Sequence, residues 1–300
     1  MDSIQYLLQH QVDKREWDNC VSNSGNGLIY GQSFYLDAMC KHWDALVLNN
    51  YEAVMPLTCN KKYGIYYLYQ PPFTAALGVF GKNISADLVQ KFLLAIPKKF
   101  KYWDIYFNHG NYFTLGNFDL YERMNYILPL NSAYETLFNN FKESTQRNIK
   151  KFEQLNGVIK KAIPVQEVIN LSKQRSAAPA IDDFERIAGL YNLLHTKGAA
   201  ITYGAYSNQQ LVASAAFFIF QNRAYYILVG NHPNGKTVGA SHALINAFIK
   251  DHAGRNLILD FEGSDIHSLA FFYSSFGATE EKYCGIKLNR LPGLLKLLKK

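Results

Sequence analysis

Three apolar stretches in succession, AAITYGAYS (199–207), LVASAAFFIF (211–220) and AYYILVG (224–230), most limit what this chain can fold into. Short polar turns, Asn208-Gln209-Gln210 and Gln221-Asn222-Arg223, join each neighbouring pair, so three antiparallel strands are expected. Helical periodicity at Val165 to Gln174 and Asp183 to His195 precedes them. After them come the glycine-containing loop NHPNGKTVGAS, a helix at Ala240 to His252, the strand NLILDF, a helix from Ser264 to Phe276 and the strand KYCGIKLN. A short basic helix, RLPGLLKLLKK, closes the chain.

The first half has the same order with blunter edges. Ala45 to Leu48, Ala53 to Thr58 and Ile65 to Tyr69 read as an antiparallel meander separated by Asn49-Asn50 and by Lys61-Lys62-Tyr63-Gly64. Leu88, Phe92, Leu93 and Ile96 mark a helix ended by Pro97, and YWDIYF (102–107) a further strand. Residues 131–156 read as helical, closing at Gly157. The chain of 300 residues is therefore expected to be an internally duplicated α/β (α+β) protein, divided into 1–130 and 131–300.

With 48% hydrophobic and 18% charged residues, a disordered chain is excluded. The net charge of +7 is concentrated: 142–161 carries a local +4 and 282–300 a local +6, on a body of −3. Such segments read either as solvated helix faces or as contacts to a phosphate-rich partner, whether nucleotide, tRNA or anionic membrane. Cys20, Cys40, Cys59 and Cys284 form no C-x-x-C pair, and His232, His242 and His267 lack metal-like spacing and read as surface or capping residues, so no metal is expected. No stretch approaches a membrane span, the N-terminus lacks the pattern of a secretory signal, and a cytoplasmic location is the expectation.

The strand–loop–helix at Tyr225 to His252 is the first candidate for chemistry. If Thr237 to Ser241 form the first helical turn, their free N–H groups can hold a pyrophosphate, with Gly239 allowing close approach and Ser241 adding a hydroxyl. An ordinary loop is the alternative. Its surroundings resemble the GNAT N-acyltransferase superfamily over Ala199 to Lys287: KTVGAS stands where that family has Q/R-x-x-G-x-G/A, and Tyr273 precedes Gly277 by four residues in FFYSSFGA. Nearly the whole chain is similar to the FemAB-like transferases, which carry two GNAT-like domains in tandem. The basic segment STQRNIKKFEQLNG, LDFEGSDI and FFYSSFGA carry that likeness, while the long helical insertion of tRNA-dependent members has no counterpart.

The resemblance implies two mixed, mostly antiparallel sheets flanked by helices, and transfer of an acyl group from acyl-CoA, such as acetyl-CoA, to an amine. The acceptor would be a small molecule or a cell-envelope precursor. Val229 and Gly230 would face the donor's pantetheine arm, and Lys236, Thr237, Val238, Gly239, Ala240 and Ser241 its pyrophosphate. Tyr273 would be the general acid, or else a buried aromatic. Asp260 and Glu262, two apart at a strand end, are expected on one face, Glu262 as a proton acceptor and Asp260, with Arg147, on the substrate side; the alternative is that one of the two carboxylates caps the helix at Ser264 or pairs with a base such as Arg147. Tyr69 and Gln70 are acceptor-side candidates, because QPPFTAALGVF offers no phosphate loop. Two other readings stand: an aminoacyl-tRNA donor gripped by Arg147, Lys150 and Lys151, and a non-catalytic protein whose leucine- and lysine-rich tail contacts a membrane.

Overall fold

The β-turns dictate much of the fold in both halves. The computed structural model describes residues 3–174, 179–263 and 265–293, with Lys236 as backbone alone. Two units result, Met1–Arg123 with Lys282–Lys300 and Met124–Glu281, so the chain's last strand ends in the first unit, whereas the sequence reading assigned all of 131–300 to the second.

In the first unit β1 (Ile4–Leu7), α1 (Lys14–Ser22) and α2 (Ser33–Met39) precede the expected meander of β2 (His42–Leu48), β3 (Ala53–Lys62) and β4 (Ile65–Tyr69). The β3–β4 turn is two residues, Tyr63 and Gly64, both with positive φ, as a tight hairpin requires. Then follow the two-residue β5 (Phe80–Gly81), α3 (Ala86–Ala95) and β6 (Phe100–Phe107). The Ser85 hydroxyl caps α3, which buries Val89, Phe92 and Leu93. This crossover makes β6 parallel to β4.

β7 (Leu120–Pro129) leads into the second unit, where the helix expected over 131–156 is two helices, α4 (Tyr134–Asn139) and α5 (Glu143–Gln154). The break lets the Lys142 N–H donate to the Ser275 carbonyl at 2.9 Å and buries Thr145. At the end of α5 the left-handed residue is Asn156, while the Gly157 N–H bonds the Phe152 carbonyl at 2.9 Å. β8 (Val158–Lys161), α6 (Val165–Ser172) and α7 (Ile181–His195) follow, then the three expected strands β9 (Ala200–Ser207), β10 (Gln210–Phe220) and β11 (Arg223–Asn231). Asn208 and Gln209 both take positive φ in the β9–β10 turn.

The segment after β11 is not a loop. It forms α8 (Pro233–Val238), because Pro233 sits at a first-turn position and the His232 ring accepts the Asn234 N–H. Gly239, with φ +77°, ends α8 and starts α9 (Ala240–His252). β12 (Ile258–Asp260), α10 (His267–Ser274) and β13 (Thr279–Asn289) complete the described chain. The strands of the second unit lie in the order β7-β12-β11-β10-β9-β8, with Phe217 and Phe248 stacked 3.9 Å apart between β10 and α9. No described helix is long and apolar enough to cross a membrane. The basic helix expected at the C-terminus lies outside the described residues from 294 onward, and so does the helix start expected at Ser264.

Candidate active site

β11 and β12 are parallel neighbours for three residues only: Arg223 with Ile258, Ala224 with Leu259 and Tyr225 with Asp260. Beyond that they part. The β12 chain stays with β7, the Phe261 N–H donating to the Tyr126 carbonyl at 3.0 Å. β11 runs on to Asn231 with β10 as its one strand partner among the described residues, and its register with β10 slips at Ile227, which stands as an extra residue between Tyr226 and Leu228. A bulge at that point adds twist and turns the strand away from β12. The result is a wedge whose β11 wall has backbone groups without a β12 partner among the described residues.

A charged cluster holds the apex. Asp260, 3% exposed, accepts from Arg223 Nη1 at 2.9 Å, Asn125 Nδ2 at 3.0 Å and the Glu262 N–H at 2.8 Å. Glu281 takes both arms of the Arg223 guanidinium, at 2.6 and 3.1 Å. Burial pushes the Asp260 carboxyl above its ordinary value, with Arg223 opposing the rise. Burial also works against the Arg223 charge, but the two carboxylates more than offset it and its pKa is raised. Asp260 thus pairs with a base, and the base is Arg223 rather than Arg147, which is exposed on α5.

Glu262 does not share a strand face with Asp260 as expected: β12 ends at Asp260, and Glu262 and Gly263 both take positive φ. The Asp260 carboxylate, by accepting the N–H two residues on, closes the local turn that removes Glu262 from the sheet. Glu262 is half-buried. Tyr273, on α10, is buried with its ring stacked on Phe261 at 4.6 Å, and Phe261 in turn meets Tyr226 edge-on at 6.1 Å. One aromatic chain thus links Tyr273 to β11, where the wedge opens.

The expected phosphate cradle has a different form. Thr237 and Val238 belong to the last turn of α8, so the first free N–H groups of α9 begin at Ala240. Gly239 is needed for its left-handed backbone and for packing, since a Cβ there would stand 2.2 Å from the Asn148 carbonyl of α5. Ala240 is buried, and the Ser241 hydroxyl donates to Asn231 Oδ1 at 2.7 Å. Val229 is half-buried on β11, while a Cβ at Gly230 would lie 2.8 Å from Leu171 Cβ, so that glycine admits α6. His242 is half-buried rather than exposed: its ring packs on Phe272 at 4.8 Å, Asn148 Nδ2 lies 3.5 Å from its Nε2, and burial holds its pKa down at about 4. Among the described residues no group of three His, Cys, Asp or Glu is placed to hold a metal ion.

The corresponding gap in the first unit is closed. The Gln70 carboxamide, just past β4, accepts the Tyr106 N–H of β6 at 2.9 Å and donates to the Thr74 carbonyl at 2.7 Å. The chain then returns, Leu77 bonding Tyr106 and Asn108 of the β6 line at 2.8 Å each. Tyr69 is half-buried beside Tyr67. Sequence reasoning did not single out Arg223, Asn125, Glu281, Phe261 or Asn148; the one available signal was an arginine opening a strand that is otherwise apolar.

No protein-family model matches the sequence, and no curated protein matches it either. Solved structures do share its fold. The crystal structure of FemX is 11% identical, covering 93% of this chain and 96% of its own, with a TM-score of 0.61. The C-terminal domain of a putative lysylphosphatidylglycerol synthetase from Agrobacterium fabrum is 9% identical over 95% of this chain and 94% of its own, with a TM-score of 0.54. A tandem GNAT protein from the clavulanic acid biosynthesis pathway is 9% identical over 98% and 100%, with a TM-score of 0.53. The chain has the FemAB-like tandem GNAT fold.

Proposed function

We propose that this protein transfers an acyl group from an activated carboxyl donor to an amine at the wedge of the second unit. The observation that carries the reading is the parting of β11 from β12 after Tyr225 and Asp260, with the bulge at Ile227. Backbone groups of β11 beyond Tyr225, which have no β12 residue paired to them among the described residues, can bond both the donor's amide arm and the reacting carbonyl, whose oxygen gains negative charge in the transition state. The amine nitrogen forms a bond to the carbonyl carbon, the carbon–sulfur or carbon–oxygen bond to the carrier breaks, the amine gives up a proton and the leaving group gains one. Tyr273 is assigned that second proton and Glu262 the first. Asp260, already bonded to Arg223, Asn125 and Glu262, positions the chain at the apex.

Acyl-CoA is the first donor reading, and the free N–H groups at the start of α9 are its phosphate contact. The packing of α5 on Gly239 favours a second, an aminoacyl-tRNA whose phosphates meet the exposed Arg147, Lys150 and Lys151 of that helix. Tyr69 is assigned to the acceptor side, whereas Gln70 holds backbone.

Thiol release from acetyl-CoA over a panel of primary amines, beside transfer from charged tRNA, tests the reading. Tyr273→Phe is expected to lower kcat by about 100-fold or more with the thermal midpoint unchanged. Absence of binding by CoA at millimolar concentration removes the first donor. Transfer from neither donor, or full activity in Tyr273→Phe, overturns the corresponding assignment.

A further inference from the structure

Five lysines from two separate stretches meet at one end of the first unit's sheet. Lys61 and Lys62 precede the β3–β4 turn, and Lys98, Lys99 and Lys101 flank the start of β6; the pairing of Tyr66 with Phe100 brings the two stretches together. All five are exposed. Lys61 Nζ lies 4.9 Å and Lys99 Nζ 5.2 Å from the centre of the Tyr66 ring, so two like charges share one aromatic. Among the described residues Asp44, 3.7 Å from Lys99, is the one acid paired with any of the five.

The tip of this end is Tyr63, 88% exposed, with φ 50°. A bulky residue is disfavoured in that left-handed position, where Asn or Gly is the usual occupant, and at this exposure it contributes little packing. Lys62 Nζ lies 5.4 Å from the centre of its ring, an exposed contact that adds little to the fold. Leu94, in the last turn of α3 just before the Lys98–Lys101 stretch, is also 61% exposed.

We propose that this end is a docking surface for an anionic lipid bilayer. A projecting tyrosine suits the headgroup layer, where amphipathic rings concentrate, and clustered lysines add attraction to acidic lipid. A single-stranded nucleic acid fits less well: it needs successive open ring faces along a groove, and the Tyr66 ring already carries two ammonium groups.

The test is flotation of the full chain with phosphatidylcholine vesicles containing 30% phosphatidylglycerol, against pure phosphatidylcholine. Binding to the anionic vesicles alone, weakened by 0.5 M salt, is expected. Lys61→Gln with Lys62→Gln should weaken partitioning about 30-fold, while Lys296→Gln with Lys299→Gln and Lys300→Gln should leave most of it. Tyr63→Asn should weaken partitioning while its thermal midpoint holds or rises, because Asn accepts the left-handed turn; a merely structural tyrosine would lower the midpoint. No binding to anionic vesicles, equal binding by the hairpin variants, or hairpin-dependent binding of a 20-nucleotide RNA in place of vesicles overturns the proposal.

Discussion

In the first unit β4 and β6 stay bridged past the end of β4, by the Gln70 side chain and then by Leu77; in the second, β11 and β12 part after Tyr225 and Asp260. Both pairs are parallel and both are joined by a helical crossover, through α3 in the first unit and through α8 and α9 in the second, so the crossover alone does not decide whether a gap forms. What differs is where the next backbone groups find partners. In the first unit a neutral carboxamide and a returning segment fill the places a ligand would take. In the second a buried carboxylate turns the chain out at Glu262 and a bulge carries β11 away. That contrast, rather than the glycine loop, is the physical ground on which the donor is proposed to bind in the second unit.

The largest way to break it is at the charged apex. Replacing Arg223 by Met leaves the buried Asp260 and the half-buried Glu281 without their cation, and the expected loss is about 3–5 kcal/mol of stability by urea denaturation. A loss under about 1 kcal/mol would mean that the cluster does not hold the wedge together.

Next in size is a pH effect confined to the second unit. His242 titrates at about 4 in the folded chain against roughly 6.5 when unfolded, because burial disfavours its charge. Between those values the unfolded chain binds the proton and the folded chain does not, so stability rises with pH. The gain from pH 4 to 6.5 is on the order of 2–3 kcal/mol. In His242→Gln this part of the slope should vanish; an unchanged slope would assign it to other groups, His252 among them, whose pKa burial also lowers.

How much of this contrast could be read beforehand follows from the kind of interaction involved. β9 to β11, α3 and α9 were legible because apolar periodicity and polar turns are local properties. β1 and β8 are four-residue edge strands with no buried residue, and α1 buries only Trp17 and Val21, so none of them leaves a strong pattern. α8 was hidden by Pro233, Asn234 and Gly235, which read as a loop although Pro favours a helix start. Gly239 stood out in the sequence as a point of close phosphate approach, but its packing against Asn148 could not be read there, because that contact depends on α5, far away in sequence. Asp260 and Glu262 were legible as residues, but Arg223, Asn125 and Glu281 come from three other strands. Charge counting along the chain found the segments at 142–161 and 282–300 and passed over the five-lysine end, which exists only after β4 and β6 pair.

The smallest effect sharpens the comparison most. Gln70→Leu removes one acceptor from the Tyr106 N–H and one donor from the Thr74 carbonyl, and should cost about 1–2 kcal/mol. The informative readout is amide hydrogen exchange, residue by residue. Tyr106 should lose protection, while Asn108, bonded to the Leu77 carbonyl, keeps it, because the returning segment still pairs with the β6 line. The gap would then open by a single residue, between the end of β4 and Leu77. If Asn108 is also released, Gln70 is the clasp of the whole returning segment, and the first unit is one side chain away from a wedge like that of the second. If Tyr106 stays protected, the carboxamide bridge is dispensable and the returning segment alone keeps the first unit shut.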